Sequence, residues 1–274
     1  MILVSGATGN VGRELVRALV DRQVPVRALA RGEGAPIEGS ERVVGDLDHP
    51  ESLRPALDGV TGLFLLPGYR DMPGVLAAAR DAGVSRVVQL SGSSAGSGDT
   101  SNAITAYMAR TEEAVRAAGL PWTVLRPFGF MTNALEWAPQ LRAGDVVRAP
   151  FAGVRVAVID PADIAAVAAA ALLEDGHAGR VYQLSGPESL LPADRVRVLG
   201  EVLGRDLRFE GQPDDEAWTD MSARMPEAYV RAFFDFYVGG SLDESPVLPT
   251  VQEVTGRPPR TFADWAGAHA DAFR

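Results

Sequence analysis

Hydrophobic residues along the chain fall into short blocks that alternate between two spacings. Uninterrupted or near-uninterrupted apolar runs at 2–4, 24–30, 62–66, 86–90 and 122–125 are too short for core helices and read as strands buried on both faces. A weaker run at 41–45 reads as one more. Between these runs the apolar positions recur at helical spacing. Leu15, Val16, Leu19 and Val20 follow the first run, and Leu53 and Leu57 lie in a helix opened by Pro50-Glu51. Two further helices are predicted over 73–82 and 104–118, closed by Gly83 and Gly119. Strand and helix alternating at this rhythm predict an α/β fold, a doubly wound parallel sheet. Ligands of such sheets bind outside the carboxyl ends of the strands. That rule puts residues 6–12, Arg31, Asp46, Pro67, 91–94 and 127–131 along one rim.

Beyond Pro127 the rhythm changes. An aromatic loop at 128–133 leads to helices over 134–142, 161–173 and 193–203, with alternating strands at 154–159 and 180–185. Later residues carry few strand signals and two aromatic-rich helices, 227–237 and 262–273. The expected organisation is a first domain over residues 1–150, its sheet completed by strands near 154–160 and 180–186. A smaller, mainly helical C-terminal lobe over 187–274 would hold substrate or partner.

The stretch that gives the fold a purpose is 1–22, MILVSGATGNVGRELVRALVDR. Strand, glycine-rich turn and helix follow one another without a gap. Glycines at 6, 9 and 12 let the backbone turn sharply and approach a pyrophosphate, while the helix N-terminus offers free N–H groups and a positive dipole end. This reads as a dinucleotide site formed by Gly6, Thr8, Gly9, Asn10, Val11 and Gly12. An acid about twenty residues past the glycines holds the ribose 2′-hydroxyl of NAD. Here Ala30-Arg31-Gly32 stands at the end of the second strand instead, and a guanidinium suits a 2′-phosphate. NADP (NADPH) is therefore expected in preference to NAD. Arg13, a cation in the first helical turn, opposes the dipole unless an anion lies close by.

Composition narrows the partners. A formal net charge of −10 argues against nucleic acid, and no apolar stretch runs far enough to cross a membrane. The first strand begins at the first residues, which leaves no room for a signal peptide, and a cytoplasmic protein is expected. The chain has no cysteine, hence no disulfide, thiolate metal site or cysteine nucleophile. It also has no lysine, so Schiff-base chemistry is excluded.

Three constellations compete for the chemistry. Gly92-Ser93-Ser94-Ala95-Gly96 has the spacing of a hydrolase nucleophile elbow, with His177 or His269 downstream. That elbow needs a helix directly after the serine, and Gly96-Ser97-Gly98-Asp99 follows instead. Tyr107 lies one helical turn before Thr111, where a short-chain dehydrogenase carries the lysine that lowers the phenol's pKa. Arg110 is the nearest substitute. His49, His177 and His269 are far apart, Asp160 reads as a helix N-cap, and no metal is expected.

Taken together, 4–12, Arg31, 45–47, Leu90-Ser91, 119–127, 130–133, 160–165 and 182–187 resemble the NmrA-like atypical short-chain dehydrogenase/reductases. The resemblance covers roughly 1–207. It implies a Rossmann fold binding NAD(P)H, with adenine near Asp46-Leu47 and nicotinamide near Leu66-Pro67, Ser91 and Pro127-Phe128. The family contains both reductases and redox-sensing regulators that hold the dinucleotide without turning it over. Met108 stands where relatives carry His or Lys, and the Tyr-Lys pair is missing. The first expectation is an NADPH-dependent oxidoreductase. It would transfer hydride to a small, largely apolar acceptor (quinone, enone, imine or carbonyl) held by Phe128, Phe130 and Met131, the proton coming from Tyr107, Ser91 or water. The alternative is a non-catalytic NAD(P)-sensing protein that signals to a regulatory protein partner. At this stage the small-molecule acceptor and the choice between monomer and homodimer stay open.

Overall fold

The computed structural model describes residues 1–32, 34 and 37–274. In chain order the elements are β1 (Ile2–Val4), α1 (Asn10–Asp21), β2 (Val26–Ala30), β3 (Glu41–Val44), α2 (Arg54–Leu57), β4 (Gly62–Leu65), α3 (Met72–Asp81), β5 (Arg86–Leu90), α4 (Ala103–Ala117) and β6 (Trp122–Pro127). They continue with α5 (Ala138–Ala143), β7 (Val146–Ala149), α6 (Pro161–Leu173), β8 (Arg180–Leu184), α7 (Pro192–Leu203), β9 (Arg208–Gly211), α8 (Asp214–Ser222), α9 (Glu227–Tyr237), α10 (Thr250–Thr255) and α11 (Phe262–Ala268). Seven strands form a parallel sheet in the order β3-β2-β1-β4-β5-β6-β8, the Rossmann arrangement, with the order reversing between β1 and β4.

Each face of the sheet buries its own helices. On one side α1 and α6 lie against each other, with Leu15, Val16 and Leu19 meeting Ile164, Val167 and Leu172. Residues 165–166 and 168–171 of α6 are all buried alanines, and their small side chains let the two helix backbones come close. Asp160 caps α6 as expected, accepting from Ala162 N at 2.8 Å. On the other side α3 and α4 supply Val75, Leu76 and Val115 to a second cluster with Leu63 and Leu65.

The segment 154–159 departs from expectation. It alternates as a strand would, yet it makes only isolated bridges, Val156 with Leu190 and Ile159 with Phe130, and takes no place in the sheet. Its backbone groups are divided among separate partners. Ala157 N donates to Glu244 O at 2.7 Å, and Ala157 O accepts from Gly186 N at 3.0 Å. β8 does complete the sheet, beside β6. A two-stranded parallel pair, β7 with β9, lies apart from it. A separate core packs Met131, Trp137 and Val156 with Val196, Leu199, Phe262 and Trp265, so residues before 187 share it with those after. α10 turns back to the first domain, where Val251 is buried in the α1–α6 cluster. No helix among the described residues is long and apolar enough to cross a membrane.

Candidate active site

The first turn is built for an anion. Ser5 ties it to the neighbouring strand: its N–H donates to Phe64 O at 3.0 Å, and its Oγ accepts from Leu66 N at 2.9 Å. Gly6 has φ of +61°, and its carbonyl accepts from Gly9 N at 2.8 Å. A Cβ on Gly12 would lie 2.1 Å from that same carbonyl oxygen, so α1 can start this close to the turn only with glycine there. The N-cap of α1 is Gly9, which supplies no side-chain hydrogen bond. First-turn N–H groups are thus left without a side-chain acceptor, as a bound pyrophosphate requires. Arg13 reaches back to donate to Thr8 O at 3.2 Å, placing its guanidinium beside the turn.

A cavity of about 460 Å³ continues from the turn along the ends of β2 and β3, with Gly6, Thr8, Arg31, Asp46, Leu47 and Leu66 in its wall. Asp46 is held from both sides: its N–H donates to Ser52 Oγ at 2.9 Å, and its Oδ1 accepts from Asp48 N at 3.0 Å. Arg42 and Tyr69 line the same cavity and were not singled out from sequence. Arg42 stands opposite Ala28 in the β2–β3 register and donates through Nη2 to Gly32 O at 2.7 Å. In a thinly buried strand it reads as one more solvated arginine. Burial pushes the Tyr69 phenol up, with Tyr107 and Asp48 adding to the effect and Arg31 opposing it. The cavity wall thus combines apolar Leu29, Ala30, Leu47 and Leu66 with two guanidiniums and the Asp46 and Asp48 carboxyls.

A second cavity, about 490 Å³, lies in the lobe beside Gly129, just past the carboxyl end of β6. Phe151, Trp137 and Phe233 give it aromatic walls, and Arg195 and Tyr237 are among its lining residues. Behind Tyr237 sits Glu244, a buried carboxyl at 4 % exposure. Tyr237 donates to Glu244 Oε2 at 3.3 Å, and Ser93, from the loop after β5, donates to Oε1. Burial pushes the Glu244 carboxyl well above the usual glutamate range, against the hydrogen bonds from Ser93, Tyr237 and the Gly129 backbone that favour its charged form. Tyr237 is pushed up as well, chiefly by burial and then by Glu244. Glu244 sits in a Ser- and Pro-rich stretch that reads as a solvated loop, so nothing in the local sequence marks it.

The proton donors expected from sequence, Ser91 and Tyr107, each make a hydrogen bond within the protein. Ser91 donates to Glu112 Oε1 at 2.7 Å, inside a buried cluster in which Arg126 grips Glu112 at 2.8 and 2.7 Å. Tyr107 donates to Pro67 O at 3.0 Å, tethering the loop after β4. Its pKa is raised, by burial and then by Tyr229, the opposite of the lowering that a contact with Arg110 would bring. The acceptor residues shift too. Gly129 lines the lobe cavity, while its neighbours Phe128, Phe130 and Met131 do not. Met131 is 1 % exposed in the lobe core, and Phe128 is 5 % exposed. Phe130 is half-buried against the α1–α6 cluster and forms a bridge to Ile159. Asn10 reaches Thr132 Oγ1 at 3.2 Å, and Val11 is buried in the core. His177 and His269 bond to Tyr182 and to Trp265 O, each at 2.8 Å, away from the serine loop.

Residues 6–175 match the family model described as NAD(P)H-binding. A (4-alkanoyl-5-oxo-2,5-dihydrofuran-3-yl)methyl phosphate reductase of Streptomyces griseus is 44% identical, the match covering 100% of this chain and 99% of that one. An NAD(P)H azoreductase of Xenophilus azovorans is 36% identical over 100% and 99% of the two chains. Among solved structures, an NADPH-dependent quinone oxidoreductase of Escherichia coli complexed with NADPH superposes with a TM-score of 0.79 at 24% identity, covering 99% of this chain and 100% of that one.

Proposed function

The chain belongs to the NAD(P)H-binding family, in its atypical short-chain dehydrogenase/reductase group, and is an NAD(P)H-dependent oxidoreductase; from that premise we propose that it prefers NADPH and reduces a small conjugated or carbonyl acceptor seated in the lobe cavity. The observation that carries this reading is that segments following the carboxyl ends of strands of one parallel sheet line both cavities. The glycine turn and Arg31 line the first, and Gly129, two residues past β6, lines the second. The relatives' names include a phosphorylated dihydrofuranone and an azo function, which supports a small acceptor with a conjugated system.

NADPH supplies the hydride when bound. The protein's part is orientation, exclusion of water and delivery of one proton. Arg31 holds the adenosine 2′-phosphate, with Arg42 beside it. The uncapped first turn of α1 takes the pyrophosphate. Tyr237 supplies the proton to the reduced acceptor, its hydroxyl held in place by Glu244 Oε2, and the phenolate then takes a proton from water in the cavity.

The test is steady-state NADPH oxidation against a panel of quinones, enones, imines and carbonyls. Turnover with at least one class is expected, and the complete absence of turnover despite tight binding of NADP and NADPH would favour a sensor. Arg31→Asp should shift the NADPH/NADH ratio of kcat/KM toward NADH by about 10-fold or more, the worth of one charge-assisted phosphate contact. An unchanged ratio would remove Arg31 from the phosphate site. Tyr237→Phe should lower kcat on an enone by about 100-fold, with Tyr107→Phe within about 3-fold of the parent. Equal losses in the two variants would dismiss the proton path.

A further inference from the structure

We infer that the lobe cavity contains an anion subsite whose donor is Arg195, and that the acceptor it takes is a ring or conjugated chain bearing a carboxylate or phosphate group. This rests on the assignment of the cavity to the acceptor, and it changes the expected chemistry from a largely apolar molecule to one with an apolar body and a charged end.

Arg195 is a cation that the fold does not compensate. It lies in the first turn of α7, where the helix dipole disfavours positive charge. Its Nε is buried without a hydrogen-bond partner, and among the described residues its guanidinium forms no hydrogen bond and no ion pair. The face of Trp137 steadies it, with Cζ 5.3 Å from the ring centroid. Asp194, next to it in the same turn, is occupied by Leu191 N at 2.9 Å and by Arg155 at 3.4 Å. Compare Arg126, also largely buried, which is matched in full by Glu112.

An arginine taken out of water without a partner is costly, and a ligand that supplies the partner recovers that cost. The other charged groups around the cavity do not substitute for it. Glu136 and Arg224 are exposed lining residues, and neither pairs with Arg195. Glu244 is behind Tyr237, taken by Ser93 and Tyr237. Burial lowers the Arg195 pKa to about 10, with Tyr237 opposing, so the guanidinium keeps its charge at neutral pH. Its planar fork matches either a carboxylate or a phosphate in two parallel hydrogen bonds. Phe151 and Phe233 leave the remainder of the space for an unsaturated ring.

The test is calorimetric binding of three probes to the whole protein: 1-naphthyl phosphate, 1-naphthoate and 1-naphthol. At least one charged probe should bind about 20-fold or more tightly than 1-naphthol, and which of the two does so identifies the anion. Arg195→Met should erase that preference, Arg195→Lys should keep part of it, and Arg224→Met should change it by less than about 3-fold. Equal affinity for the three probes overturns the inference, and so does a preference that survives Arg195→Met. Should Arg195→Met fail to fold by circular dichroism, the parent and Arg195→Lys carry the comparison. Because binding needs no hydride transfer, the two readings fail separately. Anion preference without turnover with any acceptor dismisses the reductase reading alone. Turnover of neutral quinones by a protein indifferent to charge dismisses the subsite alone.

Discussion

At Gly12 the space available to a side chain is nil. Because the would-be Cβ meets the Gly6 carbonyl oxygen at 2.1 Å, and Ala7 Cα at 2.9 Å, backbone must move to admit even a methyl group. Gly12→Ala is expected to cost about 1–3 kcal/mol of stability, the range for overpacking, and to weaken NADPH binding by displacing the start of α1. Urea midpoints and a fluorescence titration would show it, and an Ala variant equal to the parent in both would contradict the close approach described here. This glycine is legible from sequence because its role is local: strand, turn and helix are contiguous, and the constraint acts within seven residues. The place of Arg31 in the cavity wall is legible for a similar reason, since it directly follows β2. Tyr107 is not, since its partner is the Pro67 carbonyl, forty residues away and brought near only by the fold. Glu244 and Arg195 are less legible still, as each gains its meaning from residues on elements that have no sequence relation to it.

Among the elements, α6 shows how composition becomes packing. Its alanines give little amphipathic contrast, and it is buried around most of its circumference, pressed between α1, the sheet and α10. A helix so enclosed needs its ends satisfied internally. Asp160 does this at the N-terminus through Ala162 N, and Asp163 in the first turn accepts from Arg260 N at 2.7 Å and Arg257 at 3.0 Å. Asp160→Ala should therefore lower stability by about 1 kcal/mol, with Asp160→Asn or Asp160→Ser recovering most of it. Chemical denaturation would measure both, and a loss that Asn and Ser share equally with Ala would argue against a capping role. The N-cap is readable in the sequence as Asp-Pro before an apolar run. The strand predicted at 154–159 is a misreading with a physical cause. Alternation reports which side chains are buried, and Val156, Ala157, Val158 and Ile159 are all buried, but it says nothing of where the backbone finds its partners.

For the whole molecule, Glu244 links local burial to pH. Its carboxyl titrates higher in the folded chain than in the unfolded one, so the folded state holds a proton that the unfolded state releases. That contribution is intact below the usual glutamate range and is lost as pH rises through the raised folded value. Glu244→Gln, which cannot titrate, should flatten the decline in stability on the alkaline side of that window. Urea unfolding at pH values rising from the usual glutamate range would reveal the difference, and parallel curves for the two proteins would mean that Glu244 titrates alike in the folded and unfolded chains.

The return of α10 has a practical consequence. The chain leaves the sheet after β8, builds a second core, and then comes back to seal α6 with Val251. Neither half owns a finished surface, because the residues that cover the first are encoded after those that make up much of the second. Dissecting the gene at residue 187 would yield an amino-terminal fragment with its alanine helix stripped of a neighbour. The sensible unit for engineering is consequently the intact polypeptide, with acceptor pockets exchanged by grafting side chains rather than by swapping segments.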